Sequence, residues 1–129
     1  MELKNYQRQA LQTIERYLRE LKKWHDMSLA LPEEARSAFD YPREAWRAVS
    51  KTEYHPKETG HGLPLPNFCI KVPTGGGKTF LAVQTIDRVQ SIYLERPNGL
   101  ILWIVPTDQI YRQTLSYLRN RAHPYRQFL

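Results

Sequence analysis

A chain of 129 residues has room for one domain at most. Its 41% apolar and 25% charged residues match ordinary globular usage and exclude wholesale disorder. Nineteen Lys and Arg against thirteen Asp and Glu give a net charge of +6, a balance that suits a polyanionic partner. One cysteine, Cys69, excludes an internal disulfide and points to a reducing compartment. The first residues lack the apolar core of a signal peptide. The longest apolar run, Leu100 to Val105, is far shorter than the roughly 20 residues that cross a bilayer. The expectation is a soluble, cytoplasmic chain with no membrane contact.

Residues 5–25 read as one long helix. Tyr6, Ala10, Leu11, Ile14, Tyr17, Leu18, Leu21 and Trp24 recur at spacings of three and four and make a single apolar stripe. Asn5 is the expected N-cap. From residue 25 to 67 the character changes, and five of the nine prolines gather there. Pro32 and Pro42 each open a short helix, where a missing N–H does no harm. The stretch from His55 to Pro66 is rich in Gly and Pro and reads as a loop.

After this insert the pattern becomes strand, loop, helix, strand, helix. Phe68 to Val72 is expected as a short strand, with Cys69 as a small core residue. Lys78 to about Ile92 shows one apolar helical face. Leu100 to Val105 is apolar throughout, as in a strand buried on both faces of a parallel sheet. A last helix is expected from Asp108 to about Arg121, capped by Thr107, with Ile110, Tyr111, Thr114, Leu115 and Leu118 turned inward. This order predicts an α/β fold with parallel strands flanked by helices, preceded by a long N-terminal helix.

The chemistry concentrates in Pro73-Thr74-Gly75-Gly76-Gly77-Lys78-Thr79, between a predicted strand and a predicted helix. Consecutive glycines let backbone amides turn inward toward phosphate oxygens, and the helix adds its positive dipole end. In such a loop the lysine, Lys78, reaches the β- and γ-phosphates, and the hydroxyl of Thr79 ligates Mg²⁺. Glycine clusters elsewhere are usually linkers, but Gly-Lys-Thr at a strand-to-helix junction is not a linker pattern. Val72 occupies the first glycine position of the general phosphate loop, which disfavours a small kinase or GTPase.

The loop resembles the Thr-Gly-x-Gly-Lys-Thr form of superfamily 2 helicases. Within that superfamily the chain most resembles the DEAD/DEAH-type helicase part of the Type III restriction enzyme Res subunit. Leu3-Lys4-Asn5-Tyr6-Gln7 resembles the family's Leu-Arg-x-Tyr-Gln element, whose glutamine recognises adenine; a carboxamide offers the donor and acceptor that complement the base. Ile104-Val105-Pro106-Thr107 resembles motif Ia, where a helix N-terminus meets the nucleic-acid backbone.

The resemblance implies a partial RecA-like P-loop domain over residues 1–129, with 25–67 as an insert between the adenine element and the phosphate loop. It implies ATP and Mg²⁺ as cofactors. Tyr6, Gln7, Thr74, Gly75, Gly76, Gly77, Lys78 and Thr79 would hold the nucleotide. Lys78 and Thr79 would act in catalysis, Thr79 on the metal, while Pro106 and Thr107 would touch nucleic acid. DNA is the implied partner, with RNA left open, together with a modification or other subunit of a restriction complex.

The four histidines are scattered, and no pair has zinc-site spacing. Arg112, Arg119, Arg121 and Arg126, interleaved with Tyr117, Tyr125 and Phe128, have the composition of a single-strand binder, but read first as a solvated face. No Asp-Glu-x-His or Asp-Glu-Ala-Asp run occurs in these residues, and no second RecA-like domain to supply an arginine finger. The sequence therefore reads as the ATP-binding N-terminal part of an ATP-dependent DNA helicase or translocase. The alternative is a truncated nucleotide- or nucleic-acid-binding module that does no hydrolysis.

Overall fold

The computed structural model describes residues 2–129. It is mostly helical, and it divides into two compact units: one comprises the residues up to Leu11 together with Val72–Leu129, the other Gln12–Lys71. A single helix, α1 (Asn5–Leu29), lends its opening turns to the first unit and its remainder to the second.

In the unit formed by Gln12–Lys71, the expected stripe of α1 is buried. Ile14, Tyr17, Leu18 and Leu21 are each at most 6% exposed. The helix runs four residues past the expected end, to Leu29. Two short helices follow, α2 (Glu33–Arg36) and α3 (Tyr41–Val49). Pro32 sits just before α2 and Pro42 within the first turn of α3, the places where a helix tolerates proline. Asp40 caps α3: its carboxylate accepts from the Arg43 amide at 3.2 Å and from Arg43 Nε at 2.9 Å.

Tyr41, Pro42 and Ala45 of α3 are buried. Tyr17 makes edge contacts with Trp46 and Phe68, each at 5.7 Å between ring centres. Aromatic pairs of this geometry add about 0.5–1.5 kcal/mol each beyond the area they bury. The expected loop over 55–66 contains a minimal antiparallel pair, β1 (Lys57–Glu58) and β2 (Pro64–Leu65). Gly62, at φ +73, permits the turn between them. The Asn67 amide ties this hairpin down by donating to Tyr54 Oη, His55 O and Leu65 O.

The other unit is built on α4 (Lys78–Arg88) and α5 (Asp108–Arg119). Phe80, Leu81 and Val83 of α4 and Leu11 of α1 are buried. Past Arg88 the helix widens into a π-helical segment, residues 89–94. Ser91 Oγ donates to Asp87 O at 2.9 Å and to Arg88 O at 3.4 Å, and so competes for the carbonyls of the regular ladder. Glu95 closes the segment in the left-handed region, at φ 51.

Several expectations are corrected. The parallel strands over 68–72 and 100–105 are not formed: β1 and β2 make the only sheet among the described residues. Extended backbone becomes a strand only when a neighbour supplies ladder partners, and neither segment has one. Leu100, Leu102 and Ile104 consequently stand 102%, 84% and 82% exposed. Cys69 is likewise exposed rather than a core residue.

Helix α5 ends at Arg119, and of its expected inward positions only Thr114 is buried, while Ile110 and Tyr111 are exposed. Asn5 is not the cap of α1 but its first helical residue; the capping position falls to Lys4, whose carbonyl accepts from the Arg8 amide at 3.0 Å. No helix among the described residues is long and apolar enough to cross a membrane.

Burial raises the Tyr17 phenol above its usual pKa of about 10. The unfolded chain therefore ionises first. The stability tied to this residue is complete below pH 10 and is lost as the pH rises beyond it. Urea unfolding followed from pH 8 upward should show stability falling above pH 10, and the fall should be shallower in Tyr17→Phe; an equal slope in both proteins would place the alkaline sensitivity elsewhere.

Candidate nucleotide site

The phosphate-loop sequence forms a tight turn that runs directly into α4. The Gly76 amide donates to Pro73 O at 2.9 Å, closing a turn over Pro73-Thr74-Gly75-Gly76. Gly75 and Gly77 both take positive φ, +73 and +76, while Gly76 between them does not. Alternation of this kind points successive N–H groups into one concavity, a nest for anions.

Gly77 is the residue before α4. Its carbonyl accepts from the Leu81 amide at 2.9 Å, and no backbone bond among the described residues occupies the amides of Gly77, Lys78 or Thr79. Unsatisfied first-turn amides carry the positive end of the helix dipole. The cradle therefore fits a phosphate on geometry that this backbone itself displays.

The first turn of α1 packs against this loop. Tyr6 Oη donates to Gly76 O at 2.8 Å, and Gln7 Nε2 donates to the same carbonyl at 3.0 Å. Gln7 Oε1 accepts from the Lys4 amide at 2.9 Å, the reach-back half of a capping box with Gln7 three residues after the cap. Gln7 is only 5% exposed. Both ends of its carboxamide are thus engaged, one by the helix start and one by the phosphate loop. What it retains for a base is one Nε2 hydrogen and the second lone pair of Oε1.

Of the expected site residues, the structure brings together Tyr6, Gln7, Thr74, Gly75, Gly76, Gly77, Lys78 and Thr79. Thr74, Gly75 and Lys78 are exposed, Thr79 is half-buried and Gly76 is buried. Thr79, in the first turn of α4, carries a hydroxyl of the kind that ligates Mg²⁺. A phosphate-bound Mg²⁺ needs few protein ligands, since water and phosphate oxygens fill its octahedron. The structure adds a role that sequence reading misses: Tyr6 and Gln7 hold the loop's shape through one carbonyl. The spacing of roughly 70 residues between the partners left no local signal.

Pro106 and Thr107 are both exposed, at the start of α5. Thr107 Oγ1 accepts from the Ile110 amide at 3.3 Å, the expected N-cap. Its hydroxyl hydrogen remains for an outside acceptor.

A Cβ built on Gly77 would lie 2.5 Å from Gln7 Nε2, whereas one on Gly75 meets nothing within 4 Å. Both positions need left-handed backbone, which costs an L-residue about 1–2 kcal/mol. Gly77→Ala should thus destabilise the protein and weaken ATP binding more than Gly75→Ala. Adding Gln7→Ala to Gly77→Ala should return part of the difference in stability, measured by urea unfolding. Equal effects of the two single substitutions would remove the steric argument.

The family model described as Type III restriction enzyme, res subunit matches residues 1–128. No curated protein and no solved structure matches the chain. With nearly the whole length matched, and a phosphate loop that its N-terminal helix holds in shape, the chain belongs to the Type III restriction enzyme Res subunit family.

Proposed function

We propose that these residues form the ATP-binding N-terminal part of an ATP-dependent DNA helicase or translocase, the Res subunit of a Type III-like restriction endonuclease. The observation that carries the reading is the loop itself: two left-handed glycines, unoccupied first-turn amides and Gly-Lys-Thr at the start of α4. In this reading the domain is RecA-like. The partners are DNA and a modification subunit.

Each residue has a distinct task. The amides of Gly77, Lys78 and Thr79 and the Lys78 ammonium neutralise phosphate charge. Thr79 would hold Mg²⁺ through its hydroxyl, and the ion would offset phosphate charge. Thr74 and Gly75 shape the entry of the turn. Gln7 reads the adenine with the valences left over from its two bonds, and Tyr6 packs beside the base. Pro106 ends the preceding extended segment, and Thr107 donates to a nucleic-acid phosphate. These 129 residues hold no Asp-Glu run to orient an attacking water, so the chemistry assigned to them is binding and charge neutralisation, not hydrolysis.

Lys78→Ala should abolish measurable ATP binding by calorimetry or by a fluorescent analogue, and unchanged affinity would end the phosphate-loop assignment. Gln7→Ala should narrow the preference for ATP over GTP in competition. Because Gln7 also braces the loop, its loss should weaken both nucleotides to some degree. A drop that is the same for ATP and GTP would leave Gln7 with the bracing role alone.

A further inference from the structure

From α5 onward the chain carries a feature that the nucleotide reading does not use. Between residues 109 and 129 there is no Asp or Glu, against four arginines. Arg112 is paired with Asp108 at 2.7 Å. Arg119, Arg121 and Arg126 are exposed and make no ion pair among the described residues. Arg119 suits the C-terminal end of α5 on dipole grounds, but Arg121 and Arg126 lie beyond the helix, where that explanation does not reach.

The same segment holds a fixed aromatic platform. The rings of Tyr117 and His123 are stacked, 4.6 Å apart and 19° from parallel, and Tyr125 meets His123 edge-on at 4.6 Å. Local bonds hold the arrangement. Gln113 Nε2 donates to Tyr117 Oη at 2.8 Å, and the Tyr125 amide donates to His123 Nδ1 at 3.2 Å. Tyr125 in turn packs on Phe80 of α4. Tyr117 and His123 are nonetheless only half-buried. A core would bury such rings, and a merely solvated face has no reason to stack them.

From this juxtaposition we infer that the last turn of α5 and the segment after it form a contact surface for a single-stranded polynucleotide. Arg119, Arg121 and Arg126 meet successive phosphates, and the Tyr117–His123 stack receives a base. Cations without competing carboxylates, beside rigid half-exposed rings, are the combination that holds single strands with little sequence preference. Double-stranded DNA would use the charges but not the rings. The inference extends the reading of Thr107 as a phosphate contact, since α5 joins the two places, but it is carried by different residues.

The test is fluorescence anisotropy of the full 129-residue chain with labelled dT15 and rU15 across a salt series. Replacing Arg119, Arg121 and Arg126 together by Gln should weaken binding on the order of tenfold to a hundredfold near 0.1 M salt. The slope of log affinity against log salt should flatten by about 2, at roughly 0.7 per lost phosphate contact. Tyr117→Leu, which keeps apolar bulk, should cost about fivefold or more. ATP binding should be unchanged in both variants. The tighter of the two oligonucleotides identifies the sugar. No binding by the parent chain, or an unchanged slope in the arginine variant, would overturn the inference. So would inorganic polyphosphate displacing dT15 equally from the parent and from Tyr117→Leu, since the rings would then read no base. Each of these outcomes leaves the Lys78→Ala result, and with it the nucleotide site, standing or falling by itself.

Discussion

One carbonyl organises the candidate nucleotide site. Gly76 O accepts from both Tyr6 and Gln7, residues some 70 positions away in the chain. A turn built from three glycines has more conformations to lose on folding than any other, and left alone would sample many of them. Two hydrogen bonds from the first turn of α1 favour the one in which successive amides line a single concavity. Because Gln7 is simultaneously bonded to the Lys4 amide, the start of α1 and the shape of the loop are set by the same side chain. Disturbing either end disturbs both.

This dual use changes what a glutamine in that position means. An adenine-reading carboxamide standing free would impose specificity at an entropic cost paid when the base binds. In the proposed adenine-reading role, Gln7, held at both ends, is oriented before nucleotide arrives, which removes that cost. The same bonds narrow what it can offer, to one hydrogen and one lone pair. In that proposed role selectivity and loop geometry are coupled through one side chain, and a substitution there acts on both.

What could be read from the sequence was what local chemistry decides. The stripe of α1, the proline-led starts of α2 and α3, the Thr107 cap and the glycine turn ahead of Lys78 all depend on residues within a few positions of one another. What needed distant partners was not legible. Residues 68–72 and 100–105 have strand composition, but a ladder is a property of two segments, and neither finds one here. Cys69 followed its segment to the surface. Two local features escaped as well: residues 89–94 look like regular helix until the Ser91 hydroxyl is seen on the carbonyls of Asp87 and Arg88, four and three positions back. The capping role of Lys4 was hidden because its partner is the side chain of Gln7, not its own.

The run from Leu100 to Val105 has a consequence for the chain as a material. Six consecutive residues carry no charge and no proline, and their N–H and C=O groups lack partners among the described residues. Alternate side chains at 100, 102 and 104 are almost wholly open to water. Such a segment is a template for edge-to-edge growth between identical copies. Mutual repulsion at a net charge of +6 works against that growth, but salt screens the repulsion and leaves the apolar edge as it was. Colloidal stability and attraction to polyanions thus weaken together as salt rises. Low ionic strength keeps the protein dispersed, and a polyanion that neutralises its charge removes that protection.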